Sequence, residues 1–305
     1  MTEICLPLPA CAYRFDLLLE FVRRIAYPAR LIVRGDTLWR VTAGQLLSYR
    51  ESADSIIVRG ESLPADLVSC IERRSRICLG LDQDLTDFYC FAQSDADLWR
   101  VVEPLVGLPL FCSESVFEAL ITLIIEQHIT WKSAMRSQRE LLRIAGRSVR
   151  AGQTVLYDFP APARLARAYQ EALKPLKITN KRIDLIIAIA GDVNHGRLDL
   201  ERLRQLPAKE AYARLLSIKG VGHWTASNVI GRAMGRYPYV SHNDVALQAA
   251  VRHYFHGDAG RKSAELVNDT LNRYGEFAGM AGHFTLLRWV LDRYPPLDSQ
   301  TRRLT

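Results

Sequence analysis

The chain has 305 residues, enough for two domains with sizeable hydrophobic cores, and a formal net charge of +7. It contains no run of about twenty apolar residues, and its N-terminus lacks the basic start and apolar core of a signal peptide, so we expect neither a membrane-spanning helix nor export. The six cysteines form no Cys-x-x-Cys pair and no cluster of four. We therefore expect reduced core cysteines, no metal site and a cytoplasmic location.

The first part of the chain mixes helical and strand patterns. Helical patterns cover "YRFDLLLEFVRRI" (13–25) and "PADLVSCIERRSRICLG" (64–80). Between them lie four short segments rich in β-forming residues and separated by Gly, Asp or Ser: "ARLIVRG", "TLWRVT", "QLLSYRE" and "DSIIVRG". These segments predict an antiparallel meander. Residues 1–107 are therefore expected to form an α+β domain with an antiparallel sheet.

The charge is divided unevenly along the chain. Residues 1–112 carry 12 Lys and Arg against 15 Asp and Glu, whereas residues 113–305 carry 28 against 18. Every lysine lies in the second part and every cysteine in the first. This division supports a domain boundary near "VGLPLFCSES" (106–115). The basic second part favours a polyanionic partner, although a solvated helical surface of mixed charge would give the same count.

The second part reads as helices throughout, so the fold is expected to be mainly α. The helical segments are "SESVFEALITLIIEQHI", "WKSAMRSQRELLRIAG", "APARLARAYQEAL", "NKRIDLIIAIAGDV", "AKEAYARLLSI", "HWTASNVIGRAM", "DVALQAAVRHYF", "KSAELVNDTLNRY" and "HFTLLRWVLDRY". The first of them begins with a Ser cap followed by a Glu.

Two glycines, Gly220 and Gly222, stand between two of these helices in "LLSIKGVGHWTASNVIG" (215–231). A dinucleotide-binding fingerprint would need a preceding strand and a third glycine, but Thr225 occupies that third position. An ordinary helix C-cap followed by a turn is the simplest interpretation of this segment alone. Asp244, which opens the next helix, is on its own most simply a cap.

Taken together, this order of features resembles the helix-hairpin-helix DNA glycosylases, which have an active-site loop of the Gly-Pro-Asp type. Within them, the chain is most similar to the DNA-3-methyladenine glycosylase II branch. The resemblance is carried by "FEALITLIIEQHIT" (117–130), "NKRIDLIIAIA" (180–190), "GVGHWTA" (220–226) and Asp244. It implies a helical catalytic domain over residues 108–305. Residues 1–107 fit more loosely the sheet domain that precedes these helices in that branch.

The resemblance also implies a catalytic residue and a DNA-binding hairpin. Asp244 would stabilise an oxocarbenium-like sugar and align or deprotonate water. The hairpin would bind the DNA backbone, since glycines let a phosphate approach and the free N–H groups opening a helix point at it. The residues assigned to this phosphate clamp are Lys219, Gly220, Val221, Gly222, His223 and Thr225.

A wedge and a base pocket follow from the same resemblance. Gln127 and His128 would fill the gap that a flipped base leaves, although His128 could equally be a surface residue at a helix end. Aromatic faces bind cationic alkylated bases, and Trp224 is the first candidate, although it could simply pack between helices. Ala281 stands where a pocket tryptophan is expected. The further candidates for the base pocket are Tyr237, Met280 and Phe284.

Trp224 stands where the bifunctional glycosylase/lyases carry a Schiff-base lysine, which predicts a monofunctional enzyme. We expect a monomer that acts on damaged double-stranded DNA in base excision repair, associates with the nucleoid and needs no cofactor. A structural monovalent cation at the hairpin is compatible with this expectation. Two alternatives stay open: a glycosylase for oxidised purines, and a non-catalytic DNA-binding protein that kept the hairpin.

Overall fold

A computed structural model describes residues 2–25 and 29–295, which form seven strands and fourteen α-helices. The strands are β1 (Thr2–Pro7), β2 (Leu31–Arg34), β3 (Thr37–Thr42), β4 (Gln45–Ser52), β5 (Ser55–Gly60), β6 (Ser148–Ala151) and β7 (Thr154–Tyr157). The first helices are α1 (Phe15–Arg24), α2 (Ala65–Leu79), α3 (Thr86–Gln93), α4 (Ala96–Val102), α5 (Val116–Glu126), α6 (Trp131–Ala145) and α7 (Pro162–Ala166). The others are α8 (Gln170–Leu173), α9 (Asn180–Asn194), α10 (Ala208–Leu216), α11 (His223–Met234), α12 (Val245–His256), α13 (Ala264–Leu271) and α14 (Ala278–Arg293).

The N-terminal part contains a five-stranded antiparallel sheet with strand order β1-β5-β4-β3-β2. The predicted meander of β2 to β5 is confirmed, and β1 adds an unpredicted edge strand that pairs with β5. Helix α1 packs on the sheet because its apolar residues recur at helical spacing on one face, and the buried ones are Phe15, Leu18, Leu19 and Val22.

The second part is not helical throughout, because β6 and β7 form a hairpin within it. Ala151 and Leu156 of this hairpin form a small buried cluster with Ile32 and Val41 of the sheet. Each strand has four residues, and the sequence pattern did not predict either of them as a strand. The hairpin therefore extends the sheet domain with residues that are distant from it in the chain.

The helices enclose two separate hydrophobic cores. One core lies among α5, α6, α9, α10 and α11, and the other among α3, α4, α12, α13 and α14. Because α3 and α4 precede residue 107 but share a core with the last three helices, the packing does not break at the predicted domain boundary.

A buried group of charges connects the sheet to the start of α5. The Glu114 carboxylate accepts hydrogen bonds from Arg30 (3.1 Å), Arg40 (2.8 Å) and Thr42 (2.7 Å), while Glu118 pairs with Arg30. Burial alone would raise the pKa of Glu114, but Arg40 and Arg30 lower it overall. The sheet domain is thus joined to the helix that leads to the candidate wedge.

The six cysteines are free thiols. Only Cys78 and Cys112 are buried, and Cys5 and Cys90 are exposed, so the expectation that all six are core residues is wrong. Among the helices of the described residues, none is long and apolar enough to cross a membrane.

Candidate active site and nucleic-acid interface

A cavity of about 1390 Å³ lies between the two helical cores. It brings together residues that are far apart in the chain: His128 after α5, the hairpin glycines, Trp224 in α11, Asp244 before α12 and His283 in α14. The predicted wedge, clamp and catalytic residue therefore line one cavity.

Asp244 is held by three hydrogen bonds at the edge of this cavity. Its Oδ1 accepts from the backbone N–H groups of Ala246 (2.8 Å) and Leu247 (3.0 Å), which caps α12. Its Oδ2 accepts from the indole Nε1 of Trp224 at 2.9 Å. The capping interpretation is therefore correct, but it does not account for the third bond, which fixes the carboxylate relative to α11.

Three carboxylates line the cavity within the described part of the chain. Glu118 pairs with Arg30, and Glu126 forms two 2.7 Å hydrogen bonds with Arg232. Asp244 forms no ion pair with any described residue, although it is half-buried. It is thus the carboxylate in the cavity whose charge no neighbouring cation neutralises.

The two hairpin glycines differ in backbone conformation and in the space around their Cα atoms. Gly220 has a φ of +85°, which favours glycine, and a Cβ there would lie 2.7 Å from a terminal methyl group of Leu185, which would have to shift. Gly222 has φ −99° and ψ −176°, which any residue can adopt, and no atom lies within 4 Å of a Cβ placed on it. The backbone conformation of the hairpin therefore explains why position 220 is a glycine. At position 222, the missing side chain leaves open space next to the start of α11.

The first turn of α11 has no side-chain cap. The backbone N–H groups of His223, Trp224 and Thr225 form no hydrogen bond to any described residue. Uncapped donors at a helix N-terminus carry a partial positive charge that attracts anions. This turn can therefore bind a phosphate through its backbone.

The side chains of the predicted clamp contribute less than expected. His223 is occupied on both ring nitrogens, by the Tyr212 hydroxyl (2.7 Å) and the Val240 carbonyl (3.0 Å). Val221 is buried in the helical core, and Thr225 is 2% exposed. Of the predicted side chains, only Lys219 is exposed. The expectation that the His223 side chain donates to phosphate is therefore not supported.

The predicted wedge residues follow the end of α5. Gln127 Nε2 donates to the Gly220 carbonyl (3.2 Å) and to the Thr225 hydroxyl (2.9 Å), which ties this turn to the hairpin. Arg182 of α9 donates to the Gln127 carbonyl. His128 is exposed and has a φ of +54°, so its side chain projects from a left-handed turn at the cavity. Sequence reasoning did not single out Arg182.

Aromatic residues line the cavity, and three of them lie near its aromatic end. Trp224 comes from α11, Tyr237 from the loop after it, and His283 from α14. The rings of Tyr237 and His283 are stacked, with centroids 3.9 Å apart and an interplanar angle of 18°. His283 was not predicted as a site residue, because the helical pattern does not show which face of α14 meets a cavity.

Two predicted pocket residues lie elsewhere. Phe284 is fully buried and packs against Phe88 and Tyr89, because it points from α14 into the second helical core. Met280 lines a separate hollow behind Gly235. Ala281, the position expected for a pocket tryptophan, is also fully buried. The cavity side of α14 is thus the face that carries His283.

Within the described residues, no group of three or more His, Cys, Asp or Glu side chains could hold a metal ion. A monovalent cation at the hairpin, which the sequence allows, stays a prediction.

Comparison with known proteins also indicates a resemblance to DNA glycosylases. The DNA-3-methyladenine glycosylase of Bacillus subtilis is 32% identical over 158 residues, which are 52% of each chain. The solved 3-methyladenine DNA glycosylase of Archaeoglobus fulgidus superposes with a TM-score of 0.77 at 25% identity, over 96% of this chain and 98% of that one. These relatives support the resemblance to the helix-hairpin-helix DNA glycosylases and, within them, to the 3-methyladenine glycosylase branch.

Other solved DNA glycosylases share the fold at lower identity. The Clostridium acetobutylicum 8-oxoguanine glycosylase/lyase, solved with double-stranded DNA, superposes with a TM-score of 0.68 at 15% identity, over 88% of this chain and 90% of that one. That likeness concerns the fold alone. The chain spans about half the length of the curated relatives it matches. No family model matches the chain.

Proposed function

We propose that this protein is a monofunctional DNA glycosylase that removes alkylated purines from double-stranded DNA by hydrolysis. The observation that carries the proposal is Asp244. It is a cavity carboxylate without an ion pair, oriented by Trp224 and by the N-terminus of α12. Such a group can stabilise positive charge that develops in front of it.

The target base of a duplex must leave the stack before the cavity can accept it. The C1′–N bond then breaks, the electron pair leaves with the base, and the sugar becomes oxocarbenium-like. Asp244 stabilises this cation and takes the proton of the water that adds to C1′. An alkylated purine already carries positive charge and leaves readily, so this chemistry needs no second carboxylate as a general acid.

The hairpin and the wedge hold the DNA during this reaction. The free N–H groups of His223, Trp224 and Thr225 bind a backbone phosphate without reading sequence, as a search for damage requires. His128 enters the gap left by the base. Because Gln127 bonds both Gly220 and Thr225, the wedge and the phosphate site keep a fixed separation.

The charges around the aromatic end of the cavity suit a cationic base. Arg232 pairs with Glu126 through two hydrogen bonds, whereas Asp244 forms no ion pair with any described residue. An aromatic cation in this region would meet ring faces and the Asp244 carboxylate. A neutral oxidised purine would gain less from the same surroundings.

The experiment that tests the function measures the release of free base. The protein is incubated with DNA carrying 7-methylguanine and, separately, 8-oxoguanine, and the released bases are separated by chromatography. We expect release of the alkylated base, with little release by Asp244→Asn under the same conditions. Release of 8-oxoguanine alone would favour the oxidised-purine alternative, and DNA binding without any release would favour a non-catalytic protein.

A further inference from the structure

His283 is a cavity residue with an unusual environment. Its ring is half-buried, lines the cavity and stacks on Tyr237 with centroids 3.9 Å apart. It also lies nearly perpendicular to the ring of the neighbouring Phe284, with centroids 6.3 Å apart and an interplanar angle of 88°. The ring thus has aromatic contacts with both residues.

The ring nitrogens of His283 form no hydrogen bond to any described residue. His223 shows the contrast, since the Tyr212 hydroxyl and the Val240 carbonyl occupy both of its nitrogens. Buried polar groups are normally paired with protein or with ordered water. The nitrogens of His283 are thus available to a molecule in the cavity.

The imidazole is uncharged at physiological pH. Burial lowers the pKa of His283 to about 3, and the Arg232 guanidinium acts in the same direction. Arg232 itself pairs with Glu126, and Asp244 lines the same cavity. A neutral imidazole offers one acceptor nitrogen and does not repel a cation.

We propose that His283 is a specificity-determining residue: together with Tyr237 it forms the wall of the base pocket, and its free nitrogen accepts a hydrogen bond from a positively charged alkylated purine. This inference rests on the proposed glycosylase function. It also accounts for the absence of a tryptophan at the expected position, because Ala281 faces the core while His283 faces the cavity.

The test compares three variants of His283 with the unaltered protein. His283→Phe keeps an aromatic ring but removes the acceptor, His283→Gln keeps an acceptor but removes the ring, and His283→Ala removes both. His195→Ala, an exposed histidine outside the cavity, is the matched control. Single-turnover excision is measured for 7-methylguanine, which is cationic, and for hypoxanthine, which is neutral. Binding is measured on DNA with an abasic-site analogue.

We expect His283→Phe to slow excision of 7-methylguanine about tenfold, because a hydrogen bond to a charged group is lost. Excision of hypoxanthine should change much less, and His283→Gln should be faster than His283→Ala on the cationic base. Abasic DNA should bind all variants normally, which shows that they are folded.

Equal losses on both bases, or no loss on 7-methylguanine, would overturn the role of His283 while leaving the glycosylase function in place. Absence of base release by the unaltered protein would overturn the proposed function and this inference with it.

Discussion

The indole Nε1 of Trp224 donates a 2.9 Å hydrogen bond to Oδ2 of Asp244, twenty residues further along the chain. This bond connects the first turn of α11, which carries the uncapped N–H groups, to the N-terminus of α12. Trp224 thus orients the carboxylate. Phosphate binding and catalysis are expected to depend on one rigid unit.

Replacing Asp244 tests whether its carboxylate acts in catalysis or only caps α12. Asn caps a helix about as well as Asp, but its NH2 group would face the indole N–H of Trp224, so Asp244→Asn should keep the cap, lose this bond and lower the unfolding temperature slightly. Excision should fall by about 10²–10³ because the charge facing the developing cation is lost. Single-turnover excision and thermal unfolding check both parts. Near-normal excision would return Asp244 to a purely structural cap. Trp224→Phe removes the hydrogen-bond donor but keeps an aromatic ring, so it should slow excision less than Asp244→Asn does.

The two hairpin glycines separate folding from phosphate binding. Gly220→Ala should destabilise the protein by about 1–3 kcal/mol, because it strains a left-handed backbone and contacts Leu185. Gly222→Ala should leave stability unchanged but weaken binding of any DNA, because its methyl group enters the open space before α11. Urea unfolding and DNA titrations at one fixed salt concentration measure the two effects. Unaltered DNA affinity of Gly222→Ala would argue against a phosphate at this turn.

His128 tests the wedge. His128→Ala should slow excision from duplex DNA but spare binding to undamaged DNA, because the side chain acts only once a base has left the stack. Excision from a single-stranded substrate should change little, which provides an internal control. Equal rates for variant and unaltered protein on duplex DNA would rule the wedge out.

The reaction should leave an abasic site with both strands intact. Trp224 cannot form a Schiff base, and the lysine among the described cavity residues, Lys262, is exposed. Strand breaks are therefore expected only after alkali, and borohydride should trap no covalent complex. A trapped band that disappears in Lys262→Ala would identify an amine nucleophile and contradict the monofunctional assignment.

The buried charges around Glu114 should contribute to stability. Glu114→Gln leaves Arg30 and Arg40 without a full counter-charge and should cost about 3 kcal/mol near neutral pH. Since the folded state lowers the pKa of Glu114, its contribution is present above the unfolded pKa and is lost as pH falls through the folded pKa. The difference in unfolding free energy between the two proteins should therefore shrink on acidification. A pH-independent difference in urea unfolding would contradict this account.

Local patterns in the sequence predicted much of this molecule. The strands β2 to β5, the long helices, the glycine hairpin and the position of Asp244 at a helix start all depend on residues within a few positions of one another. Backbone conformation, capping and hydrophobic periodicity act over that range. The features that indicate a glycosylase are of this kind, which is why their order along the chain was informative.

The tertiary structure decided what depends on residues far apart in the chain. It added β1 and the hairpin of β6 and β7, and it placed α3 and α4 in the second helical core. It also turned His283 rather than Phe284 toward the cavity and occupied both nitrogens of His223. The physical reason is the same in each case. Which face of an element is buried, and which polar atom finds a partner, is set by the surfaces that pack against it, and those surfaces are brought together only when the chain folds.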